Sequence, residues 1–399
     1  MERKEHVEFD LLCAVARPKP DHRLAATILE RRIDWPVLLR LAASHGVRPQ
    51  LLRAFRERGW EGVPADVKSA LETFQRSHQV QTLSLVGEID RIADAFSKRG
   101  IAFVAFKGAS LAATLYGDVS QREFHDIDLI VPKSRMEEAE RLLLSAGYTS
   151  MQGDLAFRQK FCGYQRQYQY LLEEPQIVVD LHWAFTSTHL PFPLPPADVW
   201  NDRSTFSIGG RAVPTVSGCN LALLLAGHGT KEAWRRLAWV CDFALCVERH
   251  PDLDWLDIFS RARQQGCGTA VLAGCALAEE LLAVPVPKAL SSLIGGSGRI
   301  PSRIQSVAQS TARRLREAAS TEMAEGAFVD LDLCDTWRDK AIVMARLFLT
   351  PTDGDFQALP LPSALWPLYH LTRPFRLAIK ALSMLRKGRP FKAAPVPSA

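Results

Sequence analysis

The sequence predicts an α+β protein in which a small mixed β-sheet is flanked by N- and C-terminal helical regions. Three observations predict it. Apolar residues recur at three- and four-residue intervals over residues 5–98 and again from about 217 to 385, the period of amphipathic helices. Between these stretches the period changes to short apolar runs of strand length. Within residues 101–185 those runs alternate as strand, helix, strand, helix, strand, strand, which makes a compact unit with a mixed sheet.

In chain order, "WPVLLRLAASHGV" and "VQTLSLVGEIDRIADAFSKRG" carry the helical spacing of the first region, and Gly100 follows Lys98 and Arg99 as a helix stop. "IAFVAF" (101–106) is a buried-strand pattern, and "GASLAATLYG" resumes helical spacing. "FHDIDLIV" is a second strand, and "SRMEEAERLLLSAGY" is an amphipathic helix that starts near Pro132 or Ser134 and ends at Gly147. "QYQYLLEE" and "QIVVDLHWAF", separated by "EPQ", predict a hairpin. A Pro-rich loop, "LPFPLPPADVW", leads out to the second helical region. The implied domains are a helical region over 1–98, an α/β core over 99–195, a helical domain over 196–386 and a disordered tail over 387–399.

The chain has 399 residues, 47% of them apolar and 23% charged, enough for two or three units with a substantial core. A net charge of +5 permits an anionic substrate without the concentrated basic stripe of a nucleic-acid binder. The eight cysteines form no C-x-x-C pair, which disfavours zinc and thioredoxin-like chemistry. The start, "MERKEHVEFD", lacks the apolar run of a secretory signal, and no segment reaches the length of a membrane span. Together these lead to the expectation of a cytoplasmic protein with reduced thiols.

The feature that asks for chemistry is the "FHDIDLIVPK" strand. Residues two apart share a face, so Asp126 and Asp128 project together while Ile127, Leu129 and Val131 project to the opposite side. Paired carboxylates repel unless a proton or a cation sits between them. Mg²⁺, or Mn²⁺ in its place, takes such oxygen ligands together with substrate phosphates. Asp180, in the apolar strand "VVDLHW", is the candidate third carboxylate, and His182 shares its face. Upstream, Lys107 and Gly108 join a strand to a helix start, where backbone N–H groups attract phosphate. The chemistry these parts fit is in-line displacement at phosphorus, with Asp126, Asp128 and Asp180 as metal-binding and catalytic residues.

The combination "FKGASLAATLYGDVSQREFHDIDLIV", "VVDLHW" and "HGTKEAWRRLAWVCDFAL" resembles the uncharacterised bacterial nucleotidyltransferase family of the DNA-polymerase-β-like superfamily. The resemblance spans roughly residues 35–250 and is strongest over 103–131 and 177–245. It implies the minimal nucleotidyltransferase sheet with appended helices. Its pattern falls on Lys107 and Gly108, Tyr116, Arg122, Asp126 and Asp128, and the run Asp180, Leu181, His182 and Trp183. The wider superfamily has a Gly-Ser turn; here Gly108 is followed by Ala109, with Ser110 one place later. The expected substrate-binding residues are Lys107, Gly108, Ser110, Arg122, His182 and Lys231. The expected partners are ATP or another nucleoside triphosphate and an acceptor that is a small molecule, peptide, protein or RNA.

Each residue also has an ordinary explanation. Asp126 and Asp128 could end a strand in water, Asp180 could pair with Arg158 or Arg166, and Lys107 and Arg122 could pair with Glu123. Tyr116, Trp234 and Trp239 read as packing, Lys231 and Asp242 are left open, and His182 could be a hydrogen-bonded core histidine. The basic, apolar-striped "RPFRLAIKALSMLRKGRPFK" could touch RNA or an anionic membrane, though such a helix is more often packed. The favoured reading is a nucleotidyltransferase. The competing ones are a non-catalytic antitoxin-like or scaffold protein that keeps the fold, phosphoryl transfer to a peptide or small molecule, and an RNA-modifying or peripheral membrane protein acting through this C-terminus.

Overall fold

The computed structural model describes residues 6–153, 157–158, 165–186, 190–296, 299–317 and 331–386. The tail over 387–399, expected to be disordered, lies outside the described residues, as does Cys162.

Five helices open the chain: α1 (Val7–Ala16), α2 (His22–Leu29), α3 (Trp35–His45), α4 (Arg48–Glu57) and α5 (Ala65–Lys98). Local chemistry sets their ends. The Asp34 carboxylate accepts from the Val37 N–H at the start of α3, and Gly46 closes that helix at φ +66°. α5 has 34 residues and is about 50 Å long at 1.5 Å per residue. Its length lets it serve two cores: Val67 and Leu71 enter one, and Leu85, Ile89, Ile92 and Phe96 enter the other.

The sheet has seven strands in the order β3-β4-β5-β2-β1-β7-β6. They are β1 (Val104–Ala105), β2 (Asp126–Ile130), β3 (Thr149–Ser150), β4 (Gln167–Leu172), β5 (Ile177–His182), β6 (Arg203–Ile208) and β7 (Arg211–Val216). The predicted hairpin is present as β4 and β5. β2 runs parallel to β5, antiparallel to β1, and β1 runs parallel to β7, so the sheet is mixed.

The β6–β7 hairpin departs from the sequence reading, which placed residues 196–386 in a helical domain and ended the sheet with β5. Two physical features concealed it. Pro214 lies inside β7, and proline argues against an internal strand; most of β6 is exposed, so it lacks an apolar run. The overlooked signal is the turn, where Gly209 and Gly210 take φ of +57° and +84°, as a two-residue hairpin requires.

One sheet face buries Ile127, Leu129, Val131, Tyr168, Tyr170, Val179 and Leu181 under the second half of α5 and α7 (Met136–Ser145). The other joins Phe106, Ile130, Phe185 and Val216 to the helices α8 (Gly218–Lys231), α9 (Leu237–Arg249) and α11 (Gly268–Leu282), and to α1, α3 and α4. α10 (Trp255–Gln264) lies between α9 and α11 in the chain. The Asp335 carboxylate, from far downstream, accepts from the Gly268 and Thr269 N–H groups at 2.7 and 2.6 Å and so caps α11.

The chain continues through α12 (Ser291–Gly295), α13 (Arg299–Glu317), α14 (Trp337–Leu349), α15 (Asp353–Ala358) and α16 (Tyr369–Arg386). α16 differs from the ordinary packed helix: Leu371, Phe375 and Ile379 are 66, 72 and 68% exposed, while Tyr369 and Arg373 turn inward. No helix among the described residues is long and apolar enough to cross a membrane. The described cysteines are all free thiols.

Candidate active site

Two strands place the carboxylates. β2 and β5 are parallel and in register, with Asp126 opposite Val178, Asp128 opposite Asp180, and Ile130 opposite His182. The two-residue repeat therefore puts Asp126, Asp128, Asp180 and His182 on one face. α8 shares a hydrophobic cluster with Ile130 on that side of the sheet, and its last turn carries His228 and Lys231. On the far side of β2, the turn after β1 brings in Lys107.

Gly108 makes that approach sterically feasible. It sits at φ +49°, which favours glycine. A Cβ there would stand 3.3 Å from the Asp126 carbonyl and 3.4 Å from the Phe124 ring. The turn after β1 is thus pressed directly against the start of the aspartate strand. Beyond it the helix, α6, is short (Ala109–Leu111) and continues as a π-helical turn over Ala112–Tyr116.

The Asp128 carboxylate is the hub. Its Oδ1 accepts from Lys107 Nζ at 2.8 Å and lies 3.2 Å from His182 Nε2. Asp180 is fully buried and accepts from Gln169 Nε2 at 3.0 Å and Gln167 Nε2 at 3.2 Å. Burial, then the Asp128 and Asp126 charges, pushes Asp180 up to about 7. Burial and the Asp128 charge raise Asp126 to about 6, against Lys107 and Arg122. Burial also acts on Asp128, but the Lys107 ammonium and the His182 contact outweigh it and hold that carboxyl below its usual range. Lys107 mirrors this: burial opposes its charge, and the three carboxylates raise it. Burial lowers His182 to about 4. Lys231 is pulled down by burial and by the Lys107 ammonium, and its nearest acid, Glu232, is 3.8 Å away.

Several expected residues are therefore together: Lys107, Gly108, Asp126, Asp128, Asp180 and His182, with Lys231 across from them on α8. Two residues expected to contact phosphate have protein partners here. Arg122 forms a buried two-pronged pair with Asp242, Nε to Oδ1 at 2.9 Å and Nη2 to Oδ2 at 2.9 Å. Tyr116 adds its hydroxyl to the same carboxylate at 2.8 Å, so Asp242, left open by sequence, is the partner that occupies Arg122. Ser110 is fully buried and its hydroxyl donates to the Lys107 carbonyl at 2.9 Å; it braces the turn. Glu123 pairs with Arg48, and Arg158 pairs with Glu140. Trp234 packs in the core, and Trp239 meets His228 edge-on at 5.3 Å.

Gln167 and Gln169 were not singled out from sequence. Their signal was the alternation in "QYQY": once β4 pairs with β5, Gln169 lies opposite Asp180 and Gln167 opposite His182.

A divalent cation fits this donor set. Among the described residues, the group whose ligand atoms all lie within 4.8 Å of one another is Asp128, Asp180 and His182; Asp126 stands beside it on the same strand. Buried carboxylates with raised proton affinity are sites where a cation can replace protons.

The sequence profile of a family described as uncharacterised nucleotidyltransferase matches residues 31–283. Among solved structures, the solution structure of the antibiotic-resistance factor ANT(2'')-Ia is similar at 17% identity and a TM-score of 0.26. That match covers 48% of this chain and 89% of the other. No curated protein matches.

Proposed function

The chain belongs to the uncharacterised nucleotidyltransferase family, and from that premise we propose that it moves a nucleoside monophosphate from a triphosphate to an acceptor hydroxyl or phosphate in a metal-dependent reaction. The observation that carries the reading is the in-register pairing of Asp128 with Asp180, next to Asp126 and beneath Lys107. Asp126, Asp128 and Asp180 would hold Mg²⁺, or Mn²⁺ in its place. When bound, such an ion polarises the phosphate and lowers the proton affinity of the attacking oxygen.

The chain's own groups have separable tasks. Asp180, raised to about 7, is suited to take the acceptor's proton near neutral pH. Lys107 holds Asp128 ionised and supplies a cation for phosphate oxygens, with Lys231 facing it from α8. Gly108 lets the backbone come close. Gln167 and Gln169 fix the orientation of Asp180. Arg122, committed to Asp242, ties the sheet to the helical region.

The test is transfer of label from triphosphates carrying it on the α-phosphate, with Mg²⁺ and a cell extract as the acceptor source. Transfer from the α-labelled but not the γ-labelled compound identifies nucleotidyl rather than phosphoryl transfer. Asp128→Asn is expected to lower it by about 10³-fold; undiminished labelling by that variant counts against the reading. A non-catalytic protein with this fold would gain thermal stability from Mg²⁺ and a triphosphate without labelling anything.

A further inference from the structure

The imidazole of His182 is placed more tightly than a core histidine needs. Phe106 meets it edge-on, with ring centroids 4.9 Å apart at 84°. Its Nδ1 lies 3.4 Å from the Ala184 carbonyl, and its Nε2 lies 3.2 Å from Asp128 Oδ1. The ring is 1% exposed.

The hydrogen bookkeeping around this ring does not close. The Ala184 carbonyl only accepts, and an ionised carboxylate only accepts. A neutral imidazole has one N–H and can serve one of them. An imidazolium would serve both, but it would stand against the Lys107 ammonium, which already lies 2.8 Å from the same Asp128 oxygen. A cation between Nε2 and the carboxylates removes the conflict: Nδ1–H then points to Ala184 and the Nε2 lone pair to the ion. Metal-bound histidines commonly direct their other N–H to a backbone carbonyl, and metal-bound carboxylates are themselves hydrogen-bonded. Gln167 and Gln169 do the latter for Asp180.

We propose that His182 is a metal ligand, completing with Asp128 and Asp180 a mixed nitrogen–oxygen site that selects first-row transition ions such as Mn²⁺ and Co²⁺ over Mg²⁺. Imidazole nitrogen suits those ions, whereas Mg²⁺ is served by oxygen. Asp126 lies outside this group. The assignment rests on the transferase reading only for the location of the ion.

The test uses the full chain without nucleotide. Mn²⁺ bound to the wild-type protein is expected to show imidazole ¹⁴N coupling in pulsed electron paramagnetic resonance. By calorimetry it should bind more tightly than Mg²⁺. His182→Gln should abolish the coupling and weaken Mn²⁺ by about 10-fold or more, with Mg²⁺ affinity changed far less. Absence of ¹⁴N coupling in the wild type overturns the proposal without reference to any variant. So does equal affinity for the two ions. Label transfer without ¹⁴N coupling would leave the transferase reading standing and remove this one; ¹⁴N coupling without transfer would do the reverse.

Discussion

At the scale of single residues, the site is a balance of charges in little solvent. Asp128 keeps its charge because Lys107 and His182 share its Oδ1, and Asp180 and Asp126 hold theirs less firmly, titrating at about 7 and about 6. The consequence for stability has a definite sign. Both raised groups hold protons in the folded chain that an unfolded aspartate has released by about pH 4. Their contribution is complete below that value and is lost as pH rises through 6 and 7. Asp128 and His182 are shifted down and act oppositely, losing stability on acidification, so the Asp180 contribution is read between pH 6.5 and 8 as a difference from Asp180→Asn, in which theirs largely cancels. In chelator, wild-type stability should fall across that window relative to Asp180→Asn by roughly 1 kcal/mol. Urea midpoints at a series of pH values check it; a constant difference would remove the raised pKa. Added Mn²⁺ should restore the wild type at pH 8 and not the variant.

At the scale of elements, the parallel pairing of β2 with β5 aligns the acids, and a buried ion pair fixes the sheet to the helices behind it. Arg122 and Asp242 are 8 and 1% exposed in their side chains, and Tyr116 donates to the same carboxylate. Removing one partner of a buried pair leaves the other charge uncompensated, at about 3–5 kcal/mol. Asp242→Ala should therefore destabilise the protein by that order, read from urea unfolding. Arg122→Met combined with Asp242→Leu should recover more than half of the loss. A double variant as unstable as the single one would mean that the pair matters through packing and not through charge.

At the scale of the molecule, the regions expected as separate domains share their interior. One cluster of buried residues runs from Phe9, Leu11 and Leu12 through Leu38 and Leu51 to Phe106, Ile130 and Val216, and on to Leu223, Phe243 and Val271. It contains residues from all three segments 1–98, 99–195 and 196–386. A contiguous core of this kind unfolds as a unit. The full chain should melt in one transition over its described regions, and a fragment spanning 99–386 should show none. Cooperative melting of that fragment near the temperature of the full chain would show that the α/β and C-terminal segments are autonomous.

Amino-acid sequence alone singled out most residues of the candidate site. A pair of aspartates in an apolar strand, a Lys-Gly turn before it and an aspartate two residues ahead of a histidine are local patterns, because strand periodicity and glycine's backbone freedom act over a few residues. The helical regions and the β4–β5 hairpin were legible for the same reason. Tertiary structure alone decided which partners these groups meet. It sent Arg122 to Asp242, 120 positions away, turned Ser110 inward, brought Gln167 and Gln169 onto Asp180 and set His182 against Asp128. It also extended the sheet with β6 and β7. Such contacts depend on strand register and on burial, and register is fixed by the packing of the whole sheet against its two helical layers.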